Sequence, residues 1–310
     1  MIRFVAGRLG EALLAVLGAG TIVFVVTRLL GDPATLLVEP GASHEELENV
    51  RRHLGIDQPI WVQYVSYLGQ LLRGDFGASF QSGRPALGIV LEALPATFQL
   101  TAAAIFLGIT IGGTAGTIAA IRRGTVAEFI VMLLTLIGQA TPVFWLGLLA
   151  IMFFAVHLGM VPTGGYGSFL HLLMPACVLS VYTSATIARL LRSSILDVLN
   201  EDYIRTAHAK GLLPHTVLFW HVVRNALVPV LTMTAVMTGE MLGGSVVTET
   251  VFTWPGIGRT IVQAIGARDF PVVQAGVMVI AVIFVAVNLA VDLIYGLVDP
   301  RIKLGKRVSA

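Results

Sequence analysis

The chain has 310 residues, 56% of them hydrophobic and only 12% charged, with a mean hydropathy of +0.85 and a formal net charge of +2. Soluble domains carry about 25% charged residues, so this composition describes an integral membrane protein lodged in a lipid bilayer. The small net charge gives no footprint for nucleic acid. The single cysteine, Cys177, excludes an internal disulfide and a cysteine metal cluster within the chain. No G-x-x-x-x-G-K-S/T run occurs, so the chain carries no P-loop for a nucleotide.

Arg3 and Arg8 precede an apolar run from about Leu9 to Leu30. That run exceeds the ~7–15 residues of a signal-peptide core, and it reads as an uncleaved first span with a cytoplasmic N-terminus. From Gly31 to about Pro95 the chain turns polar. Ser43 and Glu46 have the spacing of a capping box, which predicts a helix from His44 to His53. Pro59 opens a second helix, to about Leu72, with Ile60, Tyr64, Tyr67, Leu68 and Leu71 on one face. Gly74, Gly77, Gly83 and Pro85 break the stretch after it. Helices, turns and apolar faces in alternation describe an ordered extracytoplasmic insert.

The second span is expected from about Thr97 to Ile121, with Gly108, Gly112 and Gly116 in a stripe that lets another helix approach closely. The third, about Val126 to Val156, is expected to kink at Pro142, where Gln139 and Thr141 supply polar groups. The fourth, about Leu172 to Leu190, is the richest in hydroxyls: Ser180, Tyr182, Thr183, Ser184 and Thr186. Span five, about Ala226 to Val247, contains Glu240, a carboxylate whose cost in a bilayer favours an interior or cavity-facing position. An outer loop with a tight Trp254-Pro255-Gly256 turn and a short amphipathic helix comes next, then span six, about Val272 to Leu297, with Asn288 and Asp292 four residues apart. Six spans with both termini inside put thirteen of the twenty lysines and arginines on the cytoplasmic side, in agreement with the positive-inside rule.

Between spans four and five lies the polar segment Glu201 to Pro229, E-D-Y-I-R-T-A-H-A-K-G-L and then H-V-V-R-N-A-L-V-P. A short helix from Tyr203 to Lys210 is expected to stop at Gly211, and a second to run from Pro214 until Pro229. This segment resembles the coupling segment, often called the EAA motif, of binding-protein-dependent ABC importer permeases, and in particular the peptide/nickel group. The likeness extends over nearly the whole chain. It includes Gly31-Asp32-Pro33, Leu54-Gly55-Ile56-Asp57-Gln58-Pro59, Gly74-Asp75-Phe76-Gly77-Ala78-Ser79, Leu94-Pro95-Ala96-Thr97, Phe252 to Gly258, Arg268-Asp269-Phe270-Pro271 and the ending Asp299-Pro300-Arg301. The large insert is similar to that of the B-type permease. Arg205, Thr206 and Ala207 stand where the general motif has an acid and two small residues, as they do in the peptide group.

The resemblance implies a type I ABC importer permease fold: all-α, six transmembrane helices, both termini cytoplasmic and a cytoplasmic coupling helix. It divides the chain into a first span (1–30), an extracytoplasmic helical insert (31–96), a five-helix permease core (97–298, coupling segment 201–229) and a cytoplasmic tail (299–310). It implies a bacterial inner-membrane, multi-pass subunit that imports short peptides, with nickel or a metal chelate as the alternative cargo. The partners implied are a paralogous C-type permease, two ABC ATPase subunits and an extracytoplasmic substrate-binding protein. ATP and Mg would be held by the ATPases, and this chain would bind no cofactor or metal and perform no catalysis. The expected coupling residues are Glu201, Asp202, Tyr203, Arg205, Thr206, Ala207, Ala209, Lys210 and Gly211, with Ala207 and Ala209 permitting close approach to the ATPase. Candidate translocation-pathway residues are Gln139, Thr141, Thr183, Glu240 and Asn288, the polar groups within spans. A secondary transporter is the different-class alternative. It would need ion-coupling groups at the midplane, for which Glu240 stands alone. An intramembrane enzyme would need a paired constellation, and all seven histidines fall outside the expected spans.

Overall fold

The computed structural model describes residues 2–29, 34–38, 43–53 and 55–298. Gly31-Asp32-Pro33, Leu54, the tail from Asp299 and the side chain of Asp292 lie outside them. The described residues form helices α1 (Ile2–Leu29), α2 (Ala34–Leu37), α3 (His44–His53), α4 (Ile60–Leu72), α5 (Ala86–Ile121), α6 (Val126–Ala140), α7 (Val143–Ala150), α8 (Phe169–Leu199), α9 (Asp202–Ala209), α10 (Pro214–Thr216), α11 (Arg224–Gly244), α12 (Val246–Val251), α13 (Ile257–Gly266) and α14 (Phe270–Val298). Ile151–His157 and Val217–Val223 continue α7 and α10 with the wider π winding. No strand occurs among the described residues, where Ala78 and Pro85 make an isolated antiparallel bridge. Five helices are long and apolar enough to cross a membrane, or six if the broken pair α6–α7 counts as one span.

Chain contacts divide the protein into two compact units, Met1–Ala96 with Pro255–Ala286, and Thr97–Trp254 with residues from Val287. In the first unit the expected capping box closes both ways. The Ser43 amide donates to Glu46 Oε2 at 2.8 Å, and the Glu46 amide to Ser43 Oγ at 3.2 Å. Tyr64 of α4 pairs its hydroxyl with Thr21 Oγ1 of α1 at 2.7 Å, and the Phe24 ring lies 5.3 Å from Tyr64 and 5.4 Å from Tyr67. Asp269 ties two stretches 190 residues apart: Ser79 Oγ donates to its Oδ2 at 2.5 Å and the Phe80 amide to its Oδ1 at 3.1 Å. The motifs Gly74–Ser79 and Arg268–Pro271 therefore meet in space.

α5 starts eleven residues before the expected Thr97 and runs straight through Pro95. A proline inside a helix costs about 3 kcal/mol. Ala86, Val90 and Ala93 nevertheless form an i, i+4, i+7 stripe buried with Ile257, Ile261, Ala264, Val272 and Val273. Burial of that stripe overrides the local penalty.

In the second unit the glycine stripe of α5 lies on α8 as expected. A Cβ on Gly112 would sit 2.5 Å from the Ser184 backbone oxygen, and one on Gly116 2.5 Å from that of Ala188. Only hydrogen at those positions lets the two backbones meet. Arg192 of α8 reaches Glu128 at the start of α6, with Nε 2.7 Å from Oε1.

Two expected proline effects differ from the structure. Pro142 does not kink one helix but separates two, α6 and α7, whose axes bend by 104°. The residue before a proline is pushed out of the helical region. Here Thr141 (ψ 127°) and Pro142 (ψ 133°) are both extended, so the hydrogen-bond ladder stops completely. Pro229, expected to end a helix, lies inside α11, and Pro214–Gly243 forms one continuous candidate span.

Candidate coupling segment and polar span residues

α9 is anchored by its own sequence pattern. Ile204 and Ala207, three residues apart, are buried in a cluster with Ile187, Leu191 and Ile195 of α8, Val217 and Val222 of the π stretch and Ala226 of α11. The opposite face is open: Glu201, Asp202, Tyr203, Arg205, Thr206, Ala209 and Lys210 are all exposed. Asp202 stands in the first turn, where a carboxylate suits the helix dipole. It lies 3.4 Å from Arg205, but both side chains are so exposed that the pair adds little to stability. Asn225 Nδ2 donates to the Tyr203 hydroxyl at 3.2 Å, steadying an aromatic ring that is otherwise open to a partner.

The helix ends as its glycine predicts. The Gly211 amide donates to the His208 carbonyl at 2.9 Å and the Leu212 amide to the Ala207 carbonyl at 3.4 Å. With Gly211 at φ +72°, this is a Schellman stop. A Cβ at Gly211 would meet nothing within 4 Å, so the requirement is conformational and not spatial. The expected role of Ala207 needs correction. At 6% exposure it faces the chain's own core, so the close approach it permits is internal, while Ala209 remains on the open face.

The polar residues of the spans differ in burial. Thr141 caps the end of α6, its hydroxyl donating to the Ile137 carbonyl at 2.6 Å, and Gln139, two residues before it, is half-buried. Asn288 is half-buried on α14. Glu240 is exposed on α11, one turn after the exposed apolar Val236. Its sequence neighbour Met241 turns inward, and the Thr183 hydroxyl lies 3.4 Å from the Met241 sulfur. Thr183 is 1% exposed, and a Cβ on Gly108 would come 2.7 Å from its Cγ2. In this chain Thr183 fills a helix contact, where the glycine stripe brings α5 onto it.

One buried carboxylate escaped the sequence reading, which assigned Thr248-Glu249-Thr250 to an outer loop. The segment is helical, and Glu249 is fully buried. Its Oε1 accepts hydrogen bonds from Thr97 Oγ1 of α5 at 2.8 Å and from Ser245 Oγ at 2.9 Å. Its carbonyl accepts the Trp254 amide at 2.8 Å, closing the turn that buries Phe252 and Trp254. The signal was present as Ser245 four residues before Glu249, with apolar Val246, Val247, Val251 and Phe252 around it.

Solved structures share this fold. A chain of an amino acid ABC transporter aligns with a TM-score of 0.53 at 17% identity, covering 69% of this chain and 94% of that one. A chain of the MetNI methionine ABC transporter in inward-facing conformation aligns with a TM-score of 0.55 at 22% identity, covering 68% and 96%. The chain therefore shares the fold of these ABC transporter chains. The family model "Binding-protein-dependent transport system inner membrane component" matches residues 112–304, and the N-terminal model of the same membrane components matches residues 1–101. The chain belongs to that family of inner-membrane components. It is 40% identical to the di/tripeptide transport system permease protein DppB of Pseudomonas aeruginosa, over 98% of this chain and 99% of the relative. It is 36% identical to the dipeptide transport system permease protein DppB of Escherichia coli K12, over 98% and 99%.

Proposed function

We propose that this chain is the B-type permease subunit of an ATP-driven importer of short peptides. The observation that carries the reading is the end-to-end likeness to di/tripeptide and dipeptide permeases, 40% and 36% identical over 98% of this chain. The subunit would work with a paralogous permease, two ATPase subunits and a binding protein, with both termini and the 201–229 segment in the cytoplasm. ATP and Mg would reside on the ATPases, and this chain would carry out no covalent step.

The open face of α9 supports a coupling role. Exposed Asp202, Tyr203, Arg205, Thr206, Ala209 and Lys210 offer charge, an aromatic ring and a small residue to a groove, while Ile204 and Ala207 fix the helix to α8 and α11. Closure of the ATPase pair on ATP would move α9 and, with it, the helices it is packed on. Nucleotide thus shifts the population between inward-open and outward-open states. Gln139, Thr141, Glu240 and Asn288 are the residues proposed to meet the translocation pathway. Glu240 is the strongest of them, because a carboxylate on an exposed span face calls for water, cargo or a partner subunit in place of lipid.

Reconstitution of the complete importer in liposomes tests the reading. ATP-dependent uptake of labelled dialanine, strictly requiring the binding protein, is the expected result. Uptake of nickel without peptide would reassign the cargo, and peptide uptake driven by an ion gradient without ATPase subunits would reject the importer class.

A further inference from the structure

The most exposed stripe of α4 is apolar. Trp61, Val65, Leu68 and Leu72 recur at i, i+4, i+7 and i+11, which aligns them along one side of the helix. Trp61, Val65 and Leu72 are 68%, 63% and 81% exposed. Gln63, Ser66 and Gln70 occupy the opposite side and line a cavity together with Phe24 and Arg28 of α1. A third face packs on α1. Tyr64 meets the Thr21 hydroxyl at 2.7 Å, Tyr67 lies on the Phe24 ring, and Leu71 Cδ2 is 3.4 Å from where a Cβ on Gly20 would stand. A helix that packs one face on its protein and turns another to water carries polar residues on the open one. The open stripe of α4 has none. The helix also holds neither an acid nor a base, and the nearest charges, Asp57 and Arg73, are exposed beyond its two ends.

The contacts with α1 fix how α4 lies. From Tyr64 to Leu71 the chain advances about 10 Å along the helix axis. Its neighbours on α1 nevertheless all fall between Gly20 and Phe24. α4 therefore crosses α1 and does not run beside it. α1 is a candidate membrane span over Gly10–Leu29, and at 1.5 Å per residue the crossing lies roughly 8–13 Å short of its Leu29 end. The polar side of α4 shares its cavity with Arg28, so that side looks toward the Leu29 end. The apolar side, opposite it, looks toward the middle of the span. There α1 itself leaves Leu14 and Ile22 exposed. This is the arrangement of a helix lying in the plane of a membrane surface, with an apolar face sunk about 5–10 Å below the headgroups and a polar face toward water. Trp61 suits that level, because tryptophan concentrates where acyl chains meet headgroups.

We propose that α4 is an interfacial helix: it lies flat in the surface layer of the bilayer at the Leu29 end of α1, with Trp61, Val65, Leu68 and Leu72 among lipid acyl chains and Gln63, Ser66 and Gln70 toward water. The occupant of the stripe is lipid, because the stripe faces down the span into the layer that α1 crosses. With no charged residue in the helix, its hold comes from apolar area and needs no anionic headgroup. Under the import reading this is the outer leaflet, and the placement itself depends on neither cargo nor ATP. Spin-label depth measurements test it. With Cys177→Ala as background, single cysteines at 65, 68 and 72 and at 66 and 70 carry a nitroxide. They are placed in the full chain in phosphatidylcholine nanodiscs, and in the assembled importer with cysteine-free partner subunits. Collision with oxygen, which concentrates in lipid, is compared with collision with a water-soluble paramagnetic chelate. Val65→Cys, Leu68→Cys and Leu72→Cys should report depths of about 5–10 Å below the headgroups in both preparations. Ser66→Cys and Gln70→Cys should collide mainly with the chelate. Chelate collision at 65 and 68 equal to that at 66 and 70 would put the stripe in water and overturn the proposal. Protection of 65, 68 and 72 from both reagents in the assembled importer would give the stripe to a partner subunit and overturn it as well. No arm reads peptide uptake, so failure of this placement leaves the import reading intact.

Discussion

The carboxylate of Glu249 illustrates how single residues hold the second unit together. An acid removed from water is tolerated only when hydrogen bonds replace its hydration, and Thr97 and Ser245 provide two of them to one oxygen. Glu249→Gln preserves the shape and the accepting oxygen but adds an amide nitrogen that needs an acceptor, with an expected cost of about 1–3 kcal/mol. Glu249→Ala leaves the Thr97 and Ser245 hydroxyls facing a void and should cost more, about 3 kcal/mol or above. Thermal unfolding of the purified chain in detergent should rank wild type above Gln and Gln above Ala. Equal midpoints for all three would show that this cluster does not stabilise the fold. Glu249 looked like a loop residue because a Thr-Glu-Thr run shortly before Pro255 and Gly256 has loop composition, and Ser245 four residues earlier was the one local clue to its burial. Its burial is decided by α5, some 150 residues earlier, and no local pattern reports such a partner.

At the scale of elements, what was legible obeyed local rules. The Ser43–Glu46 box, the start of α4 after Pro59, the glycine stripe of α5 and the stop at Gly211 are each written within a few residues and appear as read. What was not legible depended on burial elsewhere. Pro95 and Pro229 looked like boundaries, yet α5 and α11 run through them, while Pro142 severs a helix because Thr141 before it is also extended. The stop at Gly211 makes a graded prediction for α9. The left-handed conformation costs a residue with a Cβ roughly 1–2 kcal/mol, least for Asn and most for a β-branched side chain. Gly211→Asn should therefore preserve uptake by the reconstituted importer, while Gly211→Val should reduce it and uncouple ATP hydrolysis from loaded binding protein. Wild-type uptake with Val would show that the turn does not transmit motion. The two alanines of α9 separate packing from docking. Ala207→Leu should overpack the core and lower stability by about 1–3 kcal/mol. Ala209→Leu should leave the fold intact and instead reduce copurification of the ATPase subunits. Loss of ATPase from neither variant would move the docking surface off this helix.

On the scale of the whole molecule, the class was readable from composition, since 56% hydrophobic residues in long runs admit a bundle of membrane helices and little else. The pathway was less readable, because a polar residue in a span serves packing or transport according to which neighbour covers it. Thr183 and Glu240 had the same standing in the sequence, but α5 closes over the first and no described residue of this chain closes over the second. A labelling experiment on the complete importer distinguishes the two roles. With Cys177→Ala as background, single cysteines at 139, 141, 183, 240 and 288 are exposed to a membrane-impermeant maleimide, with and without trapped ATP. Glu240→Cys should label in at least one nucleotide state, because an ionisable group on an open span face is stable only beside water, cargo or a polar partner. Thr183→Cys should stay protected in both, since exposing it requires α5 to leave α8, where the backbones are in contact at Gly112 and Gly116. Gln139→Cys and Thr141→Cys sit at the break between α6 and α7 and should change reactivity together if that break moves during the cycle. Protection of Glu240→Cys in every state would place it in a dry subunit interface, and reactive Thr183→Cys would mean that the α5–α8 contact opens during transport.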